Sequence, residues 1–185
     1  MGIGGLLPLL KPVTRDRHIS HYAGKRLAVD GYAWLHRASY GCCLQLAMGE
    51  VTTAWIVYIL SMIDMLLAFD ITVHMVFDGD ELPAKKVTEE GRAASRAANM
   101  TAGLEAMNKG DHVNARVFFS KAVDITPRMA AEVIKVLREK RPVVRVVVAP
   151  FEADAQLSYL CRTDQVDGVI AEDSDTIPYG CKEAR

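Results

Sequence analysis

The chain of 185 residues is 50% hydrophobic and 24% charged, with 22 basic side chains against 23 acidic ones. That composition describes one compact domain with a real core and excludes global disorder. A formal net charge of −1 lacks the basic excess by which phosphate-binding proteins usually show themselves.

The opening MGIGGLLPLLKP has no basic n-region and no long apolar h-region, so it does not read as a secretory signal. Myristoylation at Gly2 would want Ser or Thr at position 6, where Leu6 stands. Residues 26–30 predict a first strand and residues 52–69 a buried helix. The apolar run within that helix is interrupted by Ser61 and Asp64 and is shorter than the ~20 residues a bilayer requires. The chain is therefore expected to be soluble and intracellular, and Cys42, Cys43, Cys161 and Cys181, which form no CxxC pair, are expected to be reduced thiols.

Residues 73–78 predict a second strand. The following stretch, about 82–128, is helical in propensity and less apolar, and it is far longer than a crossover needs. Pro83 opens it and Pro127 closes it, so it reads as a helical insertion. Helices at 130–140 and 153–162 then alternate with strands at 143–149 and 168–173. Near-continuous Val and Ile in short runs mark strands buried on both faces. The fold class is α/β, a mainly parallel central sheet flanked by helices.

Within the insertion, Ala106, Gly110, Ala115, Phe119, Ala122 and Pro127 match the pattern of one tetratricopeptide-type helix pair. One repeat cannot bury its own faces, and no second copy occurs, so a local helical hairpin is the better reading. A protein-interaction module built on it is the rival from another class.

The acids stand in a pattern. Asp30 and Asp78 end the first two strands, Glu152 and Asp154 follow the third, and Asp173 and Asp175 close the fourth. Parallel sheets bind ligands beyond the carboxyl ends of their strands. Any one of these acids could be a turn former or helix cap. Six at one end repel one another unless a hard cation such as Mg²⁺ compensates. Two such ions about 4 Å apart can activate water and stabilise a leaving oxygen of a phosphodiester. A haloacid-type phosphatase would need a second Asp two residues after the first, where Tyr32 stands instead.

MGIGGLLPLL, Val29-Asp30-Gly-Tyr-Ala-Trp-Leu-His36, Val76-Phe-Asp78-Gly, Ala149-Pro-Phe-Glu152-Ala-Asp154-Ala-Gln156 and Glu172-Asp173-Ser-Asp175 together resemble the 5′-nuclease superfamily of flap endonucleases and exonucleases. Trp-Leu-His, Leu82-Pro83 and Ser120-Lys-Ala-Val-Asp-Ile-Thr126 are most similar to its exonuclease 1 branch. The resemblance covers essentially the whole chain.

It implies a 5′-nuclease, PIN-like fold and a Mg²⁺-dependent 5′→3′ exonuclease and flap endonuclease of DNA repair. Such a protein would be nuclear and monomeric, with Mn²⁺ able to substitute and other repair proteins as partners. By position, Asp30, Asp78, Glu152 and Asp154 would hold one ion. Asp173 and Asp175 would hold the second, with Asp154 near both. Gly2, Tyr32 and His36 would meet DNA carrying a 5′ end, nick or flap. The insertion would be a helical arch whose Lys85, Arg92 and Arg96 share a face, with Lys85 and Arg92 acting on the scissile phosphate. A competing reading of that face is solvated ion pairing through Glu89.

The chain departs from the family in three ways. Gly91, Ala93, Ala94 and Ser95 thin the arch's charge, and Gly91 costs a helix about 1 kcal/mol relative to Ala. Gly4 replaces a polar residue. The C-terminal part of the family's fold is expected to be missing, including a seventh ligating Asp and a duplex-binding helix-two-turn-helix. A DNA-binding chain with impaired catalysis is therefore the nearest alternative. Setting the six acids aside leaves 22 basic residues against 17 acidic, so net charge alone hides a DNA-binding composition.

Overall fold

The computed structural model describes residues 3–82, 85–172 and 174–181. Four parallel strands, β1 (Arg26–Asp30), β2 (Thr72–Phe77), β3 (Arg145–Val148) and β4 (Gly168–Ile170), lie in the order β3-β2-β1-β4. The expected α/β class and parallel sheet are both present.

Alternation along the strands builds two cores. Leu27, Val29, Val73, Met75 and Phe77 face one side. There they meet Trp34, Leu35 and Ala38 of α2 (Gly31–Gly41), and Ile59, Ile63 and Leu66 of α4 (Ala54–Ala68). Val133 and Leu137 of α7 (Pro127–Lys140) complete that layer. Ala28 and Val76 face the other side, against Ala153, Leu157, Leu160 and Cys161 of α8 (Ala153–Arg162). At about 25 cal/mol per Å² of apolar surface, these two layers are the main source of stability.

The chain winds outward from β1 through β2 to β3, then crosses by α8 to β4 on β1's other side. The winding therefore reverses at β1, and a crevice opens at such a switch point beyond the strand ends. Asp30 is the last residue of β1.

The other α-helices among the described residues are α1 (Leu6–Leu10), α3 (Cys43–Ala47), α5 (Lys86–Asn108) and α6 (His112–Ala122). The last two form an antiparallel hairpin that turns at Gly110. Ala106, Ala115 and Phe119 are buried together with Cys43 of α3, so the tetratricopeptide-like pattern is used within the hairpin and against the body. Pro127 begins α7 rather than ending the hairpin, and the Thr126 hydroxyl accepts from the Met129 N–H. α5 runs unbroken through Gly91. Pro83 lies outside the described residues. Among the described residues, no helix is long and apolar enough to cross a membrane.

Candidate active site

Strand β1 passes into helix α2 without a loop, because Asp30 caps the helix. Its Oδ1 accepts the N–H groups of Tyr32 at 2.9 Å and Ala33 at 3.1 Å. Two bonds of this kind normally hold a carboxyl acidic. Burial outweighs them, with the charges of Asp154 and Asp78 adding to it, and the Asp30 pKa rises to about 6.

Asp78 follows β2, and its Oδ1 accepts the Ala153 N–H at 2.6 Å, joining the β2 end to the start of α8. Its pKa is also raised, first by burial and then by Glu152, while the Ala153 bond and Lys85 oppose. Glu152 stands at the N-cap of α8 but makes no capping bond; its carboxylate pairs with the Lys85 ammonium. Asp154 lies in the first turn of α8 and its charge reaches both Asp30 and Lys85.

Two glycines that sequence reasoning passed over make this convergence possible. A Cβ at Gly31 would stand 2.5 Å from the Phe77 ring and 2.8 Å from the Val76 carbonyl oxygen. A Cβ at Gly79 would run into the Ala149 carbonyl oxygen. The Gly79 N–H instead donates to the Phe151 carbonyl at 2.7 Å, and the Asp80 N–H to that of Pro150 at 3.1 Å. A readable signal existed, since both strand-end acids stand in the same Asp-Gly context.

Asp175 is half-buried in a 3₁₀ turn, Ser174–Thr176. Asp173 and Gly2 lie outside the described residues. The Ile3 N–H donates to the buried Ser174 hydroxyl at 2.9 Å, which ties the chain's beginning to the acidic loop. No sequence signal pointed to Ser174.

A cationic rim borders the acids. The Tyr32 ring meets Phe77 edge-on at 6.4 Å, and burial and Asp78 raise its hydroxyl pKa. His36 keeps solvent access, yet partial burial and the charge of Arg92 lower its pKa, against Glu172 and Asp124. α2 and α5 thus share one charged neighbourhood. Arg37, also unforeseen, pairs with Glu172 at 3.2 Å. Glu89 accepts from Arg92 at 3.3 Å and from Arg96 at 3.0 Å, and Arg96 also reaches Asp124 at 3.4 Å. The competing ion-pair reading of the arch face is thus present for Arg92 and Arg96. Lys85 leaves that face and turns toward the acids.

The structure therefore brings Asp30, Asp78, Glu152 and Asp154 to one end of the sheet, with Lys85 over them. Among the described residues, no three His, Cys, Asp or Glu side chains already close around a common point. In donor chemistry the set fits a hard divalent cation. The donors are carboxylate oxygens, and burial, with the charges of Asp154 and Asp78 beside it, raises the Asp30 pKa to about 6.

The chain matches the XPG N-terminal domain over residues 1–99 and the XPG I-region over residues 143–184. It belongs to the XPG family of 5′-nucleases. It is similar to exonuclease 1 of Danio rerio, at 42% identity over 99% of this chain and 22% of that protein. With exonuclease 1 of Arabidopsis thaliana, identity is 45% over 98% of this chain and 24% of that protein. The chain thus spans about a quarter of the length of these relatives. Its fold matches the catalytic core of Rad2 in complex with DNA substrate, with a TM-score of 0.71 at 24% identity, over 99% of this chain and 50% of that one.

Proposed function

We propose that the chain carries the metal-dependent centre of an exonuclease 1-type DNA nuclease. It would cleave phosphodiesters from 5′ ends and at nicks or flaps, in DNA repair in the nucleus. The observation that supports this most is the convergence of Asp30, Asp78, Glu152 and Asp154 at the switch point, with two of the acids pushed above their ordinary range. Buried carboxylates crowded together in this way mark sites that bind cations or exchange protons.

Asp30, Asp78, Glu152 and Asp154 would hold one Mg²⁺, and Asp173 and Asp175 the second, shared through Asp154. When bound, the ions supply an activated water and neutralise charge at the phosphodiester. The chain's own residues do the rest. The bonds to Asp30 and Asp78 engage Oδ1 in each case, so each carboxyl is oriented by a helix start and keeps Oδ2 for a ligand. Lys85 and Arg92 carry positive charge to the rim, where it stabilises a pentacoordinate phosphate. Tyr32 and His36 offer the α2 surface on which an unpaired end would rest, with Gly2 close by. Arg96 extends the cationic track along α5.

Digestion of 5′-recessed and 5′-flap duplexes with Mg²⁺, beside Asp78→Ala and Asp173→Ala variants, tests the reading. Cleavage is expected from the wild type and a drop of roughly two to three orders of magnitude from each variant. Cleavage that survives both substitutions would remove the proposed site. DNA binding without cleavage by the wild type would leave a DNA-binding chain.

A further inference from the structure

We propose that Lys85 is a resident stand-in for a divalent cation: its pair with Glu152 latches the base of α5 to the acid centre, and metal loading releases it. The inference rests on the metal-site reading above and adds a coupling between that site and the insertion.

Lys85 is the N-cap of α5, and its N–H donates to the Leu82 carbonyl at 2.9 Å. Its natural helical partner would be Glu89, four residues on, but that carboxylate already accepts from Arg92 and Arg96. The ammonium therefore crosses to Glu152, on the loop between β3 and α8. There its charge also acts on Asp78 and Asp154.

Among these acids Glu152 differs in its anchoring. Asp30 and Asp78 are fixed by N–H bonds of 2.6–3.1 Å from helix starts. Glu152 occupies a helix N-cap and makes no such bond, so its orientation depends on Lys85. It is better able to turn than Asp30 or Asp78. A single ammonium offers one charge to a crowded set of acids, whereas a divalent ion offers two and accepts several oxygens at once. When the ion enters, Glu152 exchanges partners and the first turn of α5 loses its tether. The side chains are 53% and 27% exposed, so the pair is a weak latch, one that opens readily.

Linkage makes the coupling reciprocal: what metal does to the latch, removal of the latch does to metal affinity. Mg²⁺ binding to the full chain, measured by calorimetry without DNA, is expected to be about two- to fivefold tighter in Lys85→Met. Lys85→Arg, which keeps the pair, should stay near the wild type. Loss of one positive charge could by itself improve affinity, so a second measurement is needed. Hydrogen exchange of the amides at residues 86–92 should quicken about two- to fivefold on adding Mg²⁺ to the wild type. In Lys85→Met it should be fast with or without the ion. If Mg²⁺ binds but exchange in this turn does not change, the latch is overturned and the metal site stands. If Mg²⁺ binds neither the wild type nor the variants, the metal site falls and the latch with it.

Discussion

At the two ends of the sheet the same residue type is driven in opposite directions. Asp167, just before β4, receives the Arg26 guanidinium at 3.1 and 3.0 Å and the Arg26 N–H at 2.8 Å. The guanidinium bond, helped by the backbone bond, takes its pKa down to about 2. At the other end Asp30 also accepts two hydrogen bonds, yet burial and two neighbouring carboxylates take its pKa up to about 6. The number of hydrogen bonds therefore does not decide the outcome; Asp167 lies near the surface and bonds a guanidinium, whereas Asp30 is buried beside other acids. The first end is built for stability and joins β1 to β4. The second gathers acids that a purely structural role would disperse, which is how functional sites depart from the rules obeyed elsewhere in a fold.

The largest effect should come from prying the acid end apart. Gly79→Ala places a methyl group against the Ala149 carbonyl, where backbone rather than a flexible side chain must yield. We expect a loss of about 2–3 kcal/mol in urea unfolding, because overpacking against backbone is poorly relieved. Cleavage should fall further than folding, since Asp78 is the adjacent residue. An unchanged unfolding midpoint would show that the β2 and β3 loops are not locked together as described.

Relieving the same end should have the opposite sign. Asp30→Asn keeps a side-chain oxygen to cap α2 and removes a buried charge that faces Asp78 and Asp154. With a chelator present, the variant is expected to be about 1–2 kcal/mol more stable than the wild type. Its nuclease activity should drop by roughly two orders of magnitude or more. Thermal unfolding in EDTA beside a cleavage assay reads both. A variant that loses stability in EDTA would mean that Asp30 serves α2 more than it strains the site.

Much of this contrast was legible in the sequence, and unevenly so. The Val-rich runs found all four strands, and β1 and α8 matched to the residue. The third run, 143–149, overshot, because Val144 turns back to bond the Arg141 carbonyl and Ala149 departs after donating to Phe77. The fourth overshot too: β4 pairs with β1 through only Gly168, Val169 and Ile170. Strand-end position was enough to nominate the acids, since a parallel sheet fixes where its strand ends point. What sequence could not supply were partners far apart along the chain. Asp64 read as a break in an apolar helix, and it holds Arg141 at 2.5 and 2.7 Å. Arg26 with Asp167, Lys85 with Glu152 and Ile3 with Ser174 were equally hidden. Each pair depends on a packed geometry that periodicity does not encode. Gly31 and Gly79 were legible only as the repeated Asp-Gly context, because a close approach leaves no mark except a missing side chain.

The smallest effect belongs to the matched end and carries a distinct pH signature. Asp167→Asn keeps an oxygen for the Arg26 N–H and gives up the ionic half of the pair. The partners are 45% and 33% exposed, so solvent screening limits the loss to about 0.5–1 kcal/mol at pH 7. The folded-state pKa is depressed to about 2. The pair's contribution is therefore complete above the unfolded value near 4, and it is lost as pH falls from about 4 through about 2. Unfolding free energies of wild type and variant should differ by a constant amount between pH 5 and 8 and converge progressively as pH falls from about 4 to about 2. Cleavage by the variant should match the wild type, because the acids at the far end keep their neighbours. A difference that persisted unchanged at pH 3 would assign the loss to the two-point geometry of the bond. In that case the opposite shifts of Asp167 and Asp30 would not share an electrostatic cause.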